Sequence, residues 1–191
     1  MADQLATPED LASLLQQDLD AATADLLLDL ATAKVQRAAG GQRIVEATST
    51  AVIDVMPYSD DRFLALPQLP VRSVSSVTLN GVAITDWTLT AQQLWRLVGW
   101  NPLWWRPSQV AVTYAHGYTT GSQYLQLARD CTLSLARAGY SNPAGDLGGE
   151  AIDDYRAPRR AEVDARMQLT EDMRAAIADA YGTGAHVTMS R

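Results

Sequence analysis

Apolar residues in the first 41 positions recur with the period of an α-helix. Thr7 and Pro8 are typical of a helix start, because a hydroxyl caps free amide groups and proline has no amide hydrogen to satisfy. Leucines then follow at the i, i+3, i+4 spacing of one buried face: Leu11, Leu14 and Leu15. A second helix is predicted to open near Asp20 and to end at Ala39, before Gly40. Its stripe is formed by Leu27, Leu30, Ala31 and Lys34, and Leu26 and Leu28 widen it. The pattern predicts a pair of helices within residues 7–39.

Residues 43–118 change to the two-residue alternation that is typical of β-strands. Val52, Asp54 and Met56 would share one face of a strand, and Asn80-Gly81 predicts a tight hairpin turn. The other predicted strands are residues 62–66, 87–89, 94–98 and 110–114. Residues 99–107 contain glycine, proline and three tryptophans, so this segment is predicted to be a loop.

Helical spacing returns over residues 122–139, where an apolar stripe ends at Gly139. The next glycines predict a flexible hinge: Gly145, Gly148 and Gly149. Residues 145–191 are therefore predicted to be a C-terminal arm beyond a core of residues 1–144. The arm contains a terminal helix over residues 170–181, whose apolar face is formed by Met173, Ile177 and Tyr181. A helix this short needs a surface to pack on, and the hinge favours a partner over its own core.

These zones together predict an α+β fold. The N-terminal helix pair and the later helices would form a small helical bundle, and residues 43–118 would be a β-rich hairpin insertion within it.

Composition limits the classes of partner. The chain has 47% hydrophobic residues, and no apolar run approaches the roughly 20 residues of a membrane span. Its net charge of −7 argues against a grip on nucleic acid, which needs clustered lysine and arginine. The N-terminus lacks the basic and apolar segments of a secretory signal, so we expect synthesis in a cytosol.

Two residues could suggest nucleophilic catalysis. Cys131 is the single cysteine, and His116 is one of two histidines. However, Cys131 lies on the apolar stripe of its predicted helix, where a thiol usually behaves as a small buried hydrophobe. A composition of one thiol and two histidines also argues against a zinc centre. We therefore expect no catalytic pair, no metal site and no cofactor.

Adjacent carboxylates could bind a cation or share a proton. They occur at Asp60-Asp61 and Asp153-Asp154, and neither pair has the spaced ligands of a calcium loop. Solvated turns are the favoured interpretation for both pairs. The sequence thus predicts a protein that is not an enzyme.

Five segments stand in a distinctive order along the chain. They are PEDLA (8–12), ATAKVQRAAGGQRI (31–44), LPQLPVRSVSSV (66–77), VTYAHGY (112–118) and EAIDDY (150–155). This series resembles the head-to-tail connector, or adaptor, proteins of long-tailed phages, particularly those that infect actinobacteria. The resemblance covers most of residues 7–181.

The resemblance implies a structural subunit of the phage neck. In relatives such subunits form a dodecameric ring beneath the portal, with the C-terminal segment reaching the portal and the other side receiving the next neck or tail protein. DNA would pass through the ring only as cargo, and no membrane or cofactor would be involved. The protein would reside in the virion neck after assembly in the host cytoplasm.

Three groups of residues are candidates for subunit or partner interfaces. The first is a loop of tryptophans that a lone subunit would expose: Trp100, Trp104 and Trp105. The second is a basic cluster that could pair with acids on a neighbour or on the portal, or touch DNA: Arg156, Arg159 and Arg160. The third is the apolar face of the terminal helix: Met173, Ile177 and Tyr181.

Three alternatives stay open beside the connector. One is a stopper or tail-completion protein of the same neck. A second is a carbohydrate-binding module, because all five tryptophans fall between Trp87 and Trp105 and aromatic rings stack on sugars. A third is a hydrolase whose catalytic set has no recognisable spacing.

Overall fold

A computed structural model describes residues 4–57, 61–102, 105–141 and 167–181, which form an α+β fold as predicted. The helices are α1 (Pro8–Leu15), α2 (Ala21–Ala38), α3 (Gln123–Ser141) and α4 (Glu171–Tyr181). The strands are β1 (Ala47–Val55), β2 (Phe63–Ala65), β3 (Val71–Leu79), β4 (Val82–Ala83), β5 (Thr88–Thr90), β6 (Gln93–Trp95) and β7 (Ser108–His116). The chain divides into a helical unit, which contains all the helices named here, and a β unit of residues 42–120.

The predicted helix starts are confirmed in the helical unit. The hydroxyl of Thr7 accepts a hydrogen bond from the amide of Asp10 at 3.3 Å, and the Asp10 carboxylate accepts one from the amide of Thr7 at 3.0 Å. This reciprocal pair fixes the first turn of α1. At α2 the Asp20 carboxylate accepts a hydrogen bond from the amide of Thr23 at 3.0 Å.

The buried face of α2 is turned slightly from the predicted one. Its buried apolar side chains are Ala24, Leu27, Leu28, Ala31 and Val35. Leu27, Leu28 and Ala31 were predicted correctly. Leu30 and Lys34 lie beside this stripe and line a cavity instead.

Helix α3 continues past the predicted stop at Gly139. A β-carbon at Gly139 would lie 2.8 Å from the sulfur of Met167 and 3.0 Å from a methyl group of Leu27. Met167 is fully buried. The glycine therefore allows close packing between the helix and this side chain, and it does not end the helix.

Helix α4 packs on both α2 and α3 within the helical unit. Ile177 is fully buried, Tyr181 is nearly so, and the Tyr181 hydroxyl donates a hydrogen bond to the carbonyl of Tyr124. The apolar face of α4 thus packs on helices of its own chain. The predicted hinge at Gly145, Gly148 and Gly149 lies outside the described residues.

The β unit contains two antiparallel sheets, ordered β1-β7-β3-β4 and β2-β6-β5. Strand β1 pairs with β7 along its whole length, from Ala47 opposite His116 to Val55 opposite Ser108. The predicted hairpin is confirmed, since Asn80 and Gly81 both have positive φ angles, 51° and 82°, between β3 and β4. The fully buried core of this unit is Leu94, Trp100, Val110, Val112 and Tyr114.

None of the helices in the described segments combines the length and the apolar composition needed to cross a lipid bilayer.

Candidate functional site

Trp100 lies in the core of the β unit and is fully buried by its own chain. Its indole nitrogen donates a hydrogen bond to the carbonyl of Arg62 at 3.0 Å. The sequence predicted that Trp100 would be covered by a neighbouring subunit. The structure corrects this prediction, because the side chain is fully buried within its own chain.

Trp105 is 60% exposed in the single chain. An interface residue is expected to be exposed in this way before a partner covers it. The guanidinium carbon of Arg106 lies 5.0 Å from the centre of its ring, which is the distance of a cation–π contact. Trp104 lies outside the described residues.

Other exposed apolar side chains accompany Trp105. Leu97 and Val98, in the same connection between β6 and β7, are 62% and 69% exposed. The side-chain amide of Asn101 donates a hydrogen bond to the backbone carbonyl of Met56 at 2.9 Å. This bond holds the exposed Met56 beside the connection. We call Met56, Leu97, Val98 and Trp105 the apolar loop. Several exposed large hydrophobic residues this close together are typical of an interaction surface.

The other tryptophans in the described segments do not extend this surface. Trp87 and Trp95 are half-buried, and the indole nitrogen of Trp87 donates to the carbonyl of Ile84 at 3.1 Å. Since Trp100 is buried as well, these three rings do not form an exposed row on which a sugar chain could stack.

His116 and Cys131 belong to different units of the chain. His116 is fully buried at the end of β7, where its Nε2 atom lies 2.9 Å from the hydroxyl of Ser49. Cys131 is buried in α3, and burial raises the pKa of its thiol, with the charge of Asp130 adding to the effect. A raised pKa disfavours the thiolate, which is the form that attacks a substrate.

The predicted carboxylate pairs are only partly within the described segments. Asp61 is exposed, whereas Asp60, Asp153 and Asp154 lie outside them. Among the described residues, no group of three or more histidine, cysteine or acidic side chains could hold a metal ion. The basic cluster of Arg156, Arg159 and Arg160 also lies outside the described part of the chain.

The apolar face of α4 is largely occupied within the helical unit. Ile177 and Tyr181 are buried against its own helices, and Met173 is half-buried. Of the three residues predicted to meet a partner, only Met173 keeps a sizeable exposed part.

A groove that the sequence did not predict lies between α2 and α4. It encloses about 610 Å³, and its walls include Leu30, Lys34, Arg37, Met167, Leu169 and Arg174. We call this set the cationic groove. Three side chains are basic and no carboxylate lines it in the described part of the chain, although the net charge of the protein is −7.

From the sequence, only two of the three basic residues of this groove could be placed on the same side of a helix. Lys34 and Arg37 are three residues apart on α2 and therefore lie on one side of it. Arg174 joins them only through the packing of α4, far along the chain. Because the terminal helix was predicted to leave the core, the three cations could not be brought together from the sequence.

The comparisons with known proteins find a similarity of fold. No protein-family model matches the chain, and no curated protein matches it. A solved structure described as the neck of an empty GTA particle, computed with C6 symmetry, contains a chain with a similar fold. The TM-score is 0.51 at 14% identity, and the match covers 88% of this chain and 91% of that one. At this identity the likeness establishes a common fold.

Proposed function

We propose that this chain is a structural subunit of the neck of a phage-like particle. The observation that carries the proposal is the fold likeness to a neck chain, which spans nearly the full length of both proteins. That neck belongs to a GTA, a phage-like gene transfer agent. The order of sequence segments, which resembles phage connectors, supports the same role independently of the fold.

Within the neck we propose the adaptor position. Copies of the chain would form a ring that joins the portal to the tail or to the next neck protein and continues the DNA channel. A ring of twelve copies contains a sixfold axis, so the dodecamer implied by the resemblance agrees with the C6 symmetry of the similar neck. The negative net charge suits a channel through which DNA passes without adhering.

The role requires no chemistry, and we propose that the chain is not an enzyme. The raised pKa of the Cys131 thiol and the burial of His116 both work against a nucleophile and base pair. Cys131→Ser and His116→Ala variants that fold should therefore assemble normally. Fully assembled but non-infectious particles would contradict this part of the proposal.

The apolar loop is the surface we assign to contact with another neck component. Its exposed side chains would be buried on assembly, and burial of apolar area is favourable by about 25 cal/mol per Å². Leu97→Ser combined with Trp105→Ser should leave the subunit folded and weaken its incorporation into particles. A matched control is Leu14→Ser, because Leu14 is also exposed but belongs to the helical unit.

The proposal is tested by mixing the purified chain with portal-bearing heads and examining them by electron microscopy. An adaptor predicts a ring of added density directly on the portal. A stopper or tail-completion protein would bind only after another neck protein is present. Heads that never gain density, with or without other neck proteins, would contradict a neck role.

A further inference from the structure

Strand β1 forms one edge of the four-stranded sheet, because the strand order is β1-β7-β3-β4. Its nine residues pair with β7 on one side without any shift of register. No strand of the described segments pairs with its other side. Every second residue of such a strand directs its amide and carbonyl groups away from the sheet, where the groups of another strand can bind them.

The opposite edge of this sheet is irregular. Strand β4 has two residues, and the pairing of β3 with β7 shifts in register between Val71 and Ser73 and again between Val74 and Ser76. Bulges of this kind twist an edge and hinder the addition of another strand. Strand β1 has no bulge, lysine, arginine or proline, and its one charged residue, Asp54, lies on the exposed face. Of the two edges, β1 is therefore the one that is open to another strand.

The core-facing side of β1 is incompletely covered. Every second residue of β7 from Ser108 to His116 is buried. Among the residues of β1 that lie opposite them, Val55 is buried, whereas Ala51 and Ile53 pack against the core and remain partly exposed. A strand added beside β1 would cover the exposed part of these apolar side chains, and burial of apolar area is favourable.

The sequence of β1 is complementary to itself in an antiparallel pair. When Ala51 of one copy lies opposite Ala51 of another, all nine residues of Ala47–Val55 have a partner, and each side chain stays on its own face of the sheet. We call this arrangement the central register. On the exposed face it places Thr50 opposite Val52, and β-branched residues pair well across strands.

Charge and proline favour the central register over its two neighbours. A shift by two residues in one direction places Glu46 opposite Asp54 at both ends of the pair, and like charges directly opposite each other destabilise a sheet. The shift in the other direction places Ala47 opposite Pro57, which has no amide hydrogen to donate. In the central register Asp54 lies opposite Thr48, which is uncharged.

Among the described strands, β1 itself is the best partner for this edge. The strands of the other sheet have three residues each, β4 has two, and the open side of β3 is bulged. Only a second β1 matches the edge along its full length. Pairing with it also extends the core, because the partly exposed Ala51 and Ile53 of both copies then lie on the same side of the joined sheet.

We propose that two copies of this chain pair through β1 in the central register, so that two four-stranded sheets join into one. The contact is two-fold, since both copies use the same strand, and a two-fold contact does not extend into a cyclic ring. In a chain that acts as a subunit of a neck ring, as proposed above, the pairing therefore belongs to the free protein before assembly. It covers an edge that would otherwise be open to unspecific pairing in solution.

The experiment measures the dissociation constant of the dimer by sedimentation equilibrium of the full-length chain at about 1 μM to 1 mM protein. Thr48→Asp places a carboxylate opposite Asp54 twice in the pair, and Thr48→Lys places an ammonium group there. A third variant combines Thr48→Asp with Asp54→Lys, which makes the opposite charges attractive again. The controls are Thr90→Asp and Thr90→Lys, because Thr90 is an exposed strand residue of the other sheet. Thermal unfolding shows that each variant is folded.

Thr48→Asp should raise the dissociation constant about fivefold or more, because like charges then lie directly opposite each other, and Thr48→Lys should lower it. The combined variant should dimerise at least as tightly as the wild type, and both Thr90 controls should match the wild type. A wild-type chain that stays monomeric over the whole concentration range would overturn the inference. A dimer whose strength changes no more in the Thr48 variants than in the controls uses another surface and would overturn it as well.

Cysteine cross-linking tests the register, in a chain whose Cys131 is replaced by serine. In the central register the two cysteines introduced by Ala51→Cys face each other, and the Cα separation of an antiparallel pair, about 4.5–5.5 Å, permits a disulfide. Those introduced by Thr48→Cys lie six residues apart along the paired strands, about 20 Å, and cannot be bridged. Oxidation should therefore link Ala51→Cys and leave Thr48→Cys unlinked. A link at position 48, or at neither position, would overturn the inference.

The neck role is judged separately, by the ring that the wild-type chain adds to portal-bearing heads. A ring on the portal together with a chain that never dimerises would overturn the β1 pairing and leave the neck role intact. A dimer that passes both tests, with heads that never gain density, would overturn the neck role and leave the pairing intact.

Discussion

Gly117 occupies a position where both the backbone angle and the available space exclude other residues. Its φ angle is +90°, and a β-carbon there would lie 2.5 Å from the carbonyl oxygen of Val45. We expect Gly117→Ala to lower the free energy of unfolding by about 2 kcal/mol or more in a denaturant titration. Gly121 has a φ angle of +89° and open space around it, so Gly121→Ala should cost less. Equal losses would show that the close approach of Val45 is unimportant.

Trp100 and Trp105 separate core packing from surface exposure within one short segment. Trp100→Ala removes a fully buried ring and a hydrogen bond, so we expect it to lower the free energy of unfolding by about 3–5 kcal/mol. Trp105→Ala should change it by about 1 kcal/mol or less, because the ring is exposed and loses only its contact with Arg106. Denaturant unfolding of the two variants measures both values. The reverse order would place Trp100 at a subunit contact after all.

Asp10 links the stability of α1 to pH. Burial acts to raise the pKa of its carboxyl, but the hydrogen bond from the Thr7 amide and the ion pair with Arg129 outweigh it and hold the pKa below 3.8. A lowered pKa in the folded state gives stability that is present above pH 3.8 and is lost as the pH falls through the lower folded value. Asp10→Asn should therefore flatten the fall in melting temperature below about pH 4. An unchanged acid profile, with exposed Asp18→Asn as the control, would contradict this linkage.

At the scale of elements, α4 is the helix that differs most from its prediction. It was predicted to pack on a partner, and it packs on helices of its own chain. Its residue Ile177 is fully buried between helices of the same unit. Ile177→Ala should lower the free energy of unfolding by about 2–5 kcal/mol, as a large-to-small change in a core does. Asp179→Ala, at an exposed position of the same helix, should change it by about 0.5 kcal/mol or less. If both variants unfold like the wild type, α4 does not stabilise the helical unit.

Two hairpins show what local sequence can and cannot predict. The Asn80-Gly81 turn was predicted because both residues tolerate positive φ angles. The turn between β5 and β6 was missed because it places Ala91 and Gln92 at φ angles of 48° and 69°, which their types do not suggest. The Gln92 side chain accepts a hydrogen bond from the amide of Val71, so a contact distant in sequence stabilises that turn.

The helices also show that local sequence does not predict features that depend on contacts distant in the chain. Period and capping residues predicted the starts of α1 and α2, since these depend on groups within one turn. Gly139 was read as a helix end because its close neighbour, Met167, is brought there only by tertiary packing. Leu30 and Lys34 were assigned to the buried face for the same reason, since the position of α4 decides which side of α2 is covered.

At the scale of the whole molecule, the sequence predicted the order of the units. The change from helical to two-residue periodicity near residue 43 and back after residue 118 matches the β unit, residues 42–120, inserted between α2 and α3. The candidate site was predicted less well. The cationic groove and the apolar loop are surfaces formed by tertiary contacts between residues that are far apart in the sequence.

The most direct test of the neck role is an electron cryo-microscopy map of the neck in the assembled particle. The account predicts a closed ring of this chain between the portal and the next neck or tail protein. A map whose neck contains no density for this chain, at the portal or elsewhere along the channel, would contradict the account.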